Sequence, residues 1–116
     1  MLRKTISVVL NLATATDSTI NIMNVNFTPD EMIIRSATLD PGANNVIGAV
    51  WCDITQDVLF SIATGTNLPT TIPLHLAYPV QRPIAATRFQ FKTAAGALSG
   101  TIAGATLIFH IEFIKH

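Results

Sequence analysis

Apolar and polar side chains alternate one by one along several stretches of this chain, a period of two that sends successive residues to opposite faces of an extended strand. Near the start, Ile6, Val8, Leu10 and Leu12 alternate with Ser7, Val9 and Asn11. At the end, Leu107, Phe109, Ile111 and Phe113 take one side of "ATLIFHIEFIKH" while Ile108, His110, Glu112 and Ile114 take the other. "STINIMNVNF" changes phase, with Ile20 and Ile22 on one side and Val25 and Phe27 on the other, which predicts a bulge or short turn near Met23-Asn24. "EMIIRSATL" is a further strand, closed by Asp40-Pro41-Gly42, residues suited to a tight turn. "NVIGAVWCDI" and "DVLFSIA" are parted only by Thr55-Gln56, which predicts a hairpin, although that pair lacks the usual Asn-Gly chemistry.

Residues 64–73, "TGTNLPTTIP", are polar and carry two prolines, and so read as a long loop rather than an interior strand. "LHLAYPV" follows as a short strand, "QRPIAA" as a connection and "TRFQFKT" as another strand. The stretch "AAGALSGTIAG" holds three glycines and no charge, which allows close approach to another backbone at a sheet edge or a subunit contact. No segment sustains helical periodicity, and Thr, Val and Ile are abundant. The expected class is therefore all-β: an antiparallel β-sandwich, an eight-stranded jelly roll, with residues 1–116 forming a single domain.

Composition adds a pressure to associate. Hydrophobic residues make up 49% and charged residues 12%, about half the roughly 25% charge of ordinary soluble domains. The formal net charge is zero, which removes self-repulsion. A homo-oligomer is the expected state. Arg3, Lys4, Arg35, Arg82, Arg88, Lys92 and Lys115 are scattered and balanced by acids, so no electrostatic footprint for direct nucleic-acid binding is present. "RFQFK" interleaves bases and aromatics, but Phe89 and Phe91 share one face and Arg88, Gln90 and Lys92 the other, a core-in, charge-out arrangement. Two cations, an apolar run and Ala13-Thr14-Ala15 outline a secretory signal, yet Ser7 and Asn11 interrupt the run, and the alternation favours a strand. No run approaches the eighteen or so apolar residues of a membrane span.

The chemistry-bearing residues form no recognisable constellation. Cys52 stands alone beside Trp51 in an apolar stretch, the setting of a buried, inert thiol. His75, His110 and His116 are far apart in sequence. His110 and Glu112 share a strand face, and a metal site would need His75 to reach them from another strand. Asp53 and Asp57 flank the hairpin turn, while Asp30 and Glu31 precede a strand, positions that turn-forming and edge-protecting roles explain. Ser61 and Ser99 lack a nucleophile elbow, and Gly96, Gly100 and Gly104 lack the companions of a phosphate loop. Asn26-Phe27-Thr28 satisfies the glycosylation pattern, which counts for little without a secretory signal. No catalytic, cofactor-binding or metal residue is assigned, and the expectation is a non-enzymatic protein without a cofactor. The alternatives are a ligand-binding β-sandwich of carbohydrate-binding or adhesin type, which would want exposed aromatics such as Trp51 and Tyr78 on a sheet face, and a small cupin-like metal enzyme built on His75, His110 and Glu112.

The segments "VNFTPDEMIIRSATL", "VWCDITQDVLFSIA" and "GATLIFHIEFIKH", with the intervening "PLHLAYPVQRPIAATRFQFK", resemble small β-sandwich structural proteins of virions, the minor capsid or penton-like jelly rolls of double-stranded DNA viruses. The resemblance covers most of the chain and rests on the order of its strands: an extended strand, an aromatic-x-aromatic strand, then a final Phe/Ile-rich strand. It implies a virion location and a protein that assembles with copies of itself and with other virion proteins. The contacts would run through loops and strand edges such as residues 64–73 and 94–104. It brings no catalytic residue with it.

Overall fold

The strands pair from the two ends of the chain inward. In chain order they are β1 (Leu2–Asn11), β2 (Asp17–Ile20), β3 (Glu31–Asp40), β4 (Ile47–Cys52), β5 (Asp57–Ala63), β6 (Thr70–Pro79), β7 (Thr87–Thr93) and β8 (Thr106–Lys115). The computed structural model describes residues 1–12, 17–20, 25–42, 46–52, 57–64, 68–80, 87–93 and 104–116. β1 pairs with β8, β2 with β7, β3 with β6 and β4 with β5, all antiparallel, as in one long hairpin. Rolling that hairpin adds the β3–β8 and β4–β7 pairings and yields two four-stranded sheets, β1-β8-β3-β6 and β2-β7-β4-β5. This is the eight-stranded jelly roll expected from the sequence.

Period-two alternation determines what lies between the sheets. β8 turns Leu107, Phe109, Ile111 and Phe113 inward, all at 0% exposure, against Val50 and Cys52 of β4 and Phe89 and Phe91 of β7. Phe109 meets Phe60 and Phe89 edge to face, with ring centroids 5.3 and 5.2 Å away, the arrangement that the ring quadrupoles favour. Cys52 is buried among these side chains, as its apolar surroundings indicated.

Two bulges re-aim side chains. On β3, Met32 and Ile34 point inward, as do Ala37 and Leu39; the register shifts between Ile34 and Ser36, so Arg35 and Ser36 both lie outside the core. On β5 the partners of Val50 and Trp51 are Phe60 and Val58, which leaves Leu59 as the extra residue. The Tyr78 hydroxyl of β6 donates to the Leu59 carbonyl and ties the two sheets together at their edge.

Several expectations need correction or fall elsewhere. Residues 64–73 are not one loop: β6 begins at Thr70 and carries Pro73 within it. An edge strand tolerates proline because one side of its backbone has no ladder to donate to, and β6 is an edge. Thr64 is buried, with its backbone N–H donating to the Val46 carbonyl and its hydroxyl accepting from the Val46 N–H. Val25 and Phe27 lie half-buried against the core but outside any strand, while the bulge expected at Met23-Asn24 lies outside the described residues. Thr55-Gln56, the side chains of Asp53 and Asp57, and all of residues 94–104 except Gly104 lie outside them as well. Glu31 opens an interior strand, so edge protection does not explain it; Asp30 instead accepts the His116 N–H through Oδ2 and the Val80 N–H through its carbonyl. Asp40 does form its turn, with Oδ1 accepting the N–H of Gly42 at 3.1 Å where Gly42 has a φ of 64°.

Candidate functional site

The outward face of the β1-β8-β3-β6 sheet gathers the polar chemistry of the described residues. The sequence placed His110 and Glu112 there from β8, and cross-strand neighbours complete the row: Ser7 stands opposite His110 and Thr5 opposite Glu112 on β1. Ser7 Oγ and His110 Nδ1 are 2.9 Å apart. Glu112 Oε1 accepts from Arg3 Nη1 at 2.9 Å and from Arg35 Nη2 at 2.7 Å. The other end of the Arg35 guanidinium, Nη1, lies 2.8 Å from His75 Nδ1 on β6. Since a guanidinium can only donate, that nitrogen is the acceptor and the His75 ring proton sits on Nε2.

A chain of contacts, Arg3–Glu112–Arg35–His75, thus crosses the sheet. Two donated hydrogen bonds hold one carboxylate, and Glu112 is well shielded at 15% side-chain exposure while the arginines stay open at 50% and 38%. The Arg35 hydrogen bond chiefly holds the Glu112 carboxyl below its ordinary value of 4.5; the charges of Arg35 and Arg3 act in the same direction, and partial burial opposes them. A lowered carboxyl pKa contributes stability that is present above the unfolded value and is lost as pH falls through the folded one. Thermal melts from neutral pH down to about 3 are therefore expected to show a fall in Tm below pH 4.5 that is shallower in Glu112→Gln. Equal slopes in the two proteins would mean that the carboxylate is not paired in solution.

This arrangement does not suit the chemistries weighed from the sequence. His75 and Glu112 do converge on one face, but through Arg35, so a cation already sits between the proposed metal ligands. Among the described residues no group of three or more His, Cys, Asp or Glu side chains is placed to hold a metal. The Ser7–His110 pair has the hydroxyl–imidazole contact of an activated nucleophile, yet the Glu112 carboxylate is engaged by two arginines rather than by the imidazole. What the network does achieve is a cross-strand clamp over β1, β8, β3 and β6. On the same outward face, Ile33 stands opposite Glu112 and Ile114 opposite Arg3, and they are only 6% and 2% exposed.

The other sheet presents a different outer surface. On β4 and β5 the outward residues are Ile47, Ala49, Trp51, Val58, Ser61 and Ala63, none charged, with Ile47 61% and Val58 43% exposed. Lys92 of β7 places its ammonium 5.1 Å from the Trp51 ring centroid, within cation–π range. Phe89 and Phe91 are buried, so "RFQFK" offers no stacking platform. Gln90, expected on the solvated side, is buried as well.

Arg35 escaped the sequence reading. The signal was present in β3, whose inward residues pass from even numbers, Met32 and Ile34, to odd ones, Ala37 and Leu39; a change of phase inside one strand marks a bulge and exposes the residue at it.

No protein-family profile matches the chain, and no curated protein matches it. Among solved structures, the chain is similar to the Drosophila NLP core, a structure bearing on pentamer formation and histone binding, with TM-score 0.57, 13% identity and 98% of each chain covered. It is also similar to the capsid of cyanophage Pam1, with TM-score 0.44, 17% identity, and 98% of this chain and 84% of that chain covered. A virus-like particle of the extra small virus of the prawn Macrobrachium rosenbergii gives TM-score 0.39, 8% identity, and 99% and 80% coverage. At such identities the likeness concerns the fold, and the first of these supports a β-sandwich spanning the whole chain.

Proposed function

We propose that this chain is a non-enzymatic structural protein of a virion, a single jelly-roll domain that self-associates and packs against other virion proteins through strand edges and loops. The observation that carries the reading is the pairing of a rolled eight-stranded sandwich with an outer surface whose described β4 and β5 side chains are uncharged, Lys92 of β7 reaching over Trp51. Outward sheet positions exposed to water are ordinarily polar, and contiguous apolar ones mark contact surfaces. Low charge and zero net charge point the same way. The pentamer formation associated with the NLP core fits a self-associating sandwich. The histone binding associated with that protein fits less well, because basic partners call for an acidic surface and this chain balances seven acids with seven bases.

Absolute mass by light scattering after size exclusion, across a tenfold dilution, tests the reading. The expected result is a defined closed oligomer whose mass does not change on dilution, and imaging of that species should reveal capsid-like geometry. A single-chain mass at every concentration would overturn self-association. The second reading, a ligand-binding sandwich, would then be tested on glycans with Trp51→Ala, because Trp51 with Lys92 above it is the aromatic surface of the outward β4–β5 face.

A further inference from the structure

Four strands form the edges of the two sheets, and three of them are guarded against pairing with another chain. β6 carries Pro73 and Pro79, which have no N–H to donate. β5 is bulged at Leu59, whose carbonyl accepts the Tyr78 hydroxyl. β2 is only four residues long. β1 has none of these devices. It runs for ten residues in unbroken register with β8, and from Thr5 to Leu12 the chain holds no charge, proline or glycine. Among the described residues, β8 is its sole ladder partner.

The phase of the ladder identifies the backbone groups on that edge. The Leu12 N–H donates to the Ala105 carbonyl at 3.0 Å. Hydrogen bonding to one side alternates along an antiparallel strand, so Ile6, Val8 and Leu10 also bond to β8, whereas Thr5, Ser7 and Val9 aim their N–H and C=O groups away from it. We infer that this edge pairs antiparallel with β1 of a second copy about a twofold axis at Ser7, joining two four-stranded sheets into one; the inference rests on the self-associating reading above and names its contact. Parallel pairing would set Arg3 and Lys4 beside their own counterparts, while antiparallel pairing sends them to opposite ends.

The strand complements itself in this register. Ser7 meets Ser7, and Thr5 meets Val9, which is 52% exposed in one copy; each such pair exchanges two main-chain hydrogen bonds. On the inward side the half-buried Ile6 meets Val8, and Leu2, 51% exposed, meets Leu12. Lys4 stands between them opposite Leu10, exposed, so that its stem extends the apolar row and its ammonium stays in water. The row that β1 leaves incomplete in one copy is thus continued by the other. A second copy presents the same donors, acceptors and alternation by symmetry.

Sedimentation velocity across a dilution series, with far-UV circular dichroism to confirm folding, tests the pairing. Thr5→Lys with Val9→Lys alters two exposed side chains and sets like charges opposite each other across the twofold axis, whereas Thr5→Lys with Val9→Glu sets opposite charges there. Ser7→Pro removes an outward N–H and spares the β8 ladder; if it fails to fold, the double-lysine variant decides. Ala77→Lys, exposed on the opposite edge strand β6, is the control. The expected result is an oligomeric parent whose mass is halved by the double-lysine and proline changes with unchanged dichroism, and is kept by the lysine–glutamate pair and the control. A folded lysine–glutamate variant that also falls to half the mass overturns the Ser7 register. An oligomeric parent whose folded double-lysine variant retains its mass overturns the β1 pairing alone. A parent that is monomeric throughout overturns the self-association reading and this inference with it.

Discussion

Replacing Phe109 with Ala is expected to remove about 4 kcal/mol of stability, a large share of the roughly 5–15 kcal/mol available to a small domain. Phe109 lies on the middle of β8, the interior strand that pairs with both β1 and β3. Its ring is fully buried and meets Phe60 of β5 and Phe89 of β7, so one side chain joins three strands across the two sheets. Truncation leaves a cavity between β8 and β7, interior strands each held by ladders on both sides, which resist collapse into it. Two edge-to-face contacts are lost as well, each about 0.5–1.5 kcal/mol. Phe109→Leu, which retains most of the volume, should cost only about 1–2 kcal/mol. Urea unfolding midpoints of the three proteins check this, and a similar small loss in both variants would mean that the ring is not the keystone of the core.

A single added methyl group at Gly48 is expected to be nearly as damaging. Gly48 faces inward on β4, and a Cβ there would lie 2.3 Å from Phe91 Cζ and 2.5 Å from the Lys92 carbonyl oxygen. Neither neighbour can give way easily: the Phe91 ring is fully buried, and the Lys92 carbonyl belongs to the β7 strand paired with β4. Gly48→Ala should therefore cost about 3 kcal/mol through overpacking. If the clash with the ring is the main cause, combining it with Phe91→Leu should destabilise by clearly less than the sum of the two single changes, a coupling that a double-mutant cycle measures. Additive losses would place the strain on the Lys92 backbone instead.

The sequence made parts of this structure legible for a simple reason. Alternation along a strand is a local property, so the inward set of β8, the inward Phe89 and Phe91 of β7 and the buried Val8 and Leu10 of β1 could all be read from a window of a few residues. Proline misled at β6, because the rule against proline in strands holds for interior positions, and whether a strand is interior depends on neighbours distant in the chain. The same limit hid the polar network. Glu112 and His75 were visible as isolated polar residues, but Arg35 reaches both only because β3 lies between β8 and β6 and bulges at that point.

By itself, then, the sequence determined the all-β class, the antiparallel sandwich and most of the residues that form its core, because burial follows the period-two pattern wherever a strand has one wet face and one dry one. Tertiary structure alone decided which strands became edges and which outward residues were drawn into the Arg3–Glu112–Arg35–His75 chain. Those outcomes depend on how the long hairpin rolls up, which brings together residues as far apart as Arg3 and Glu112.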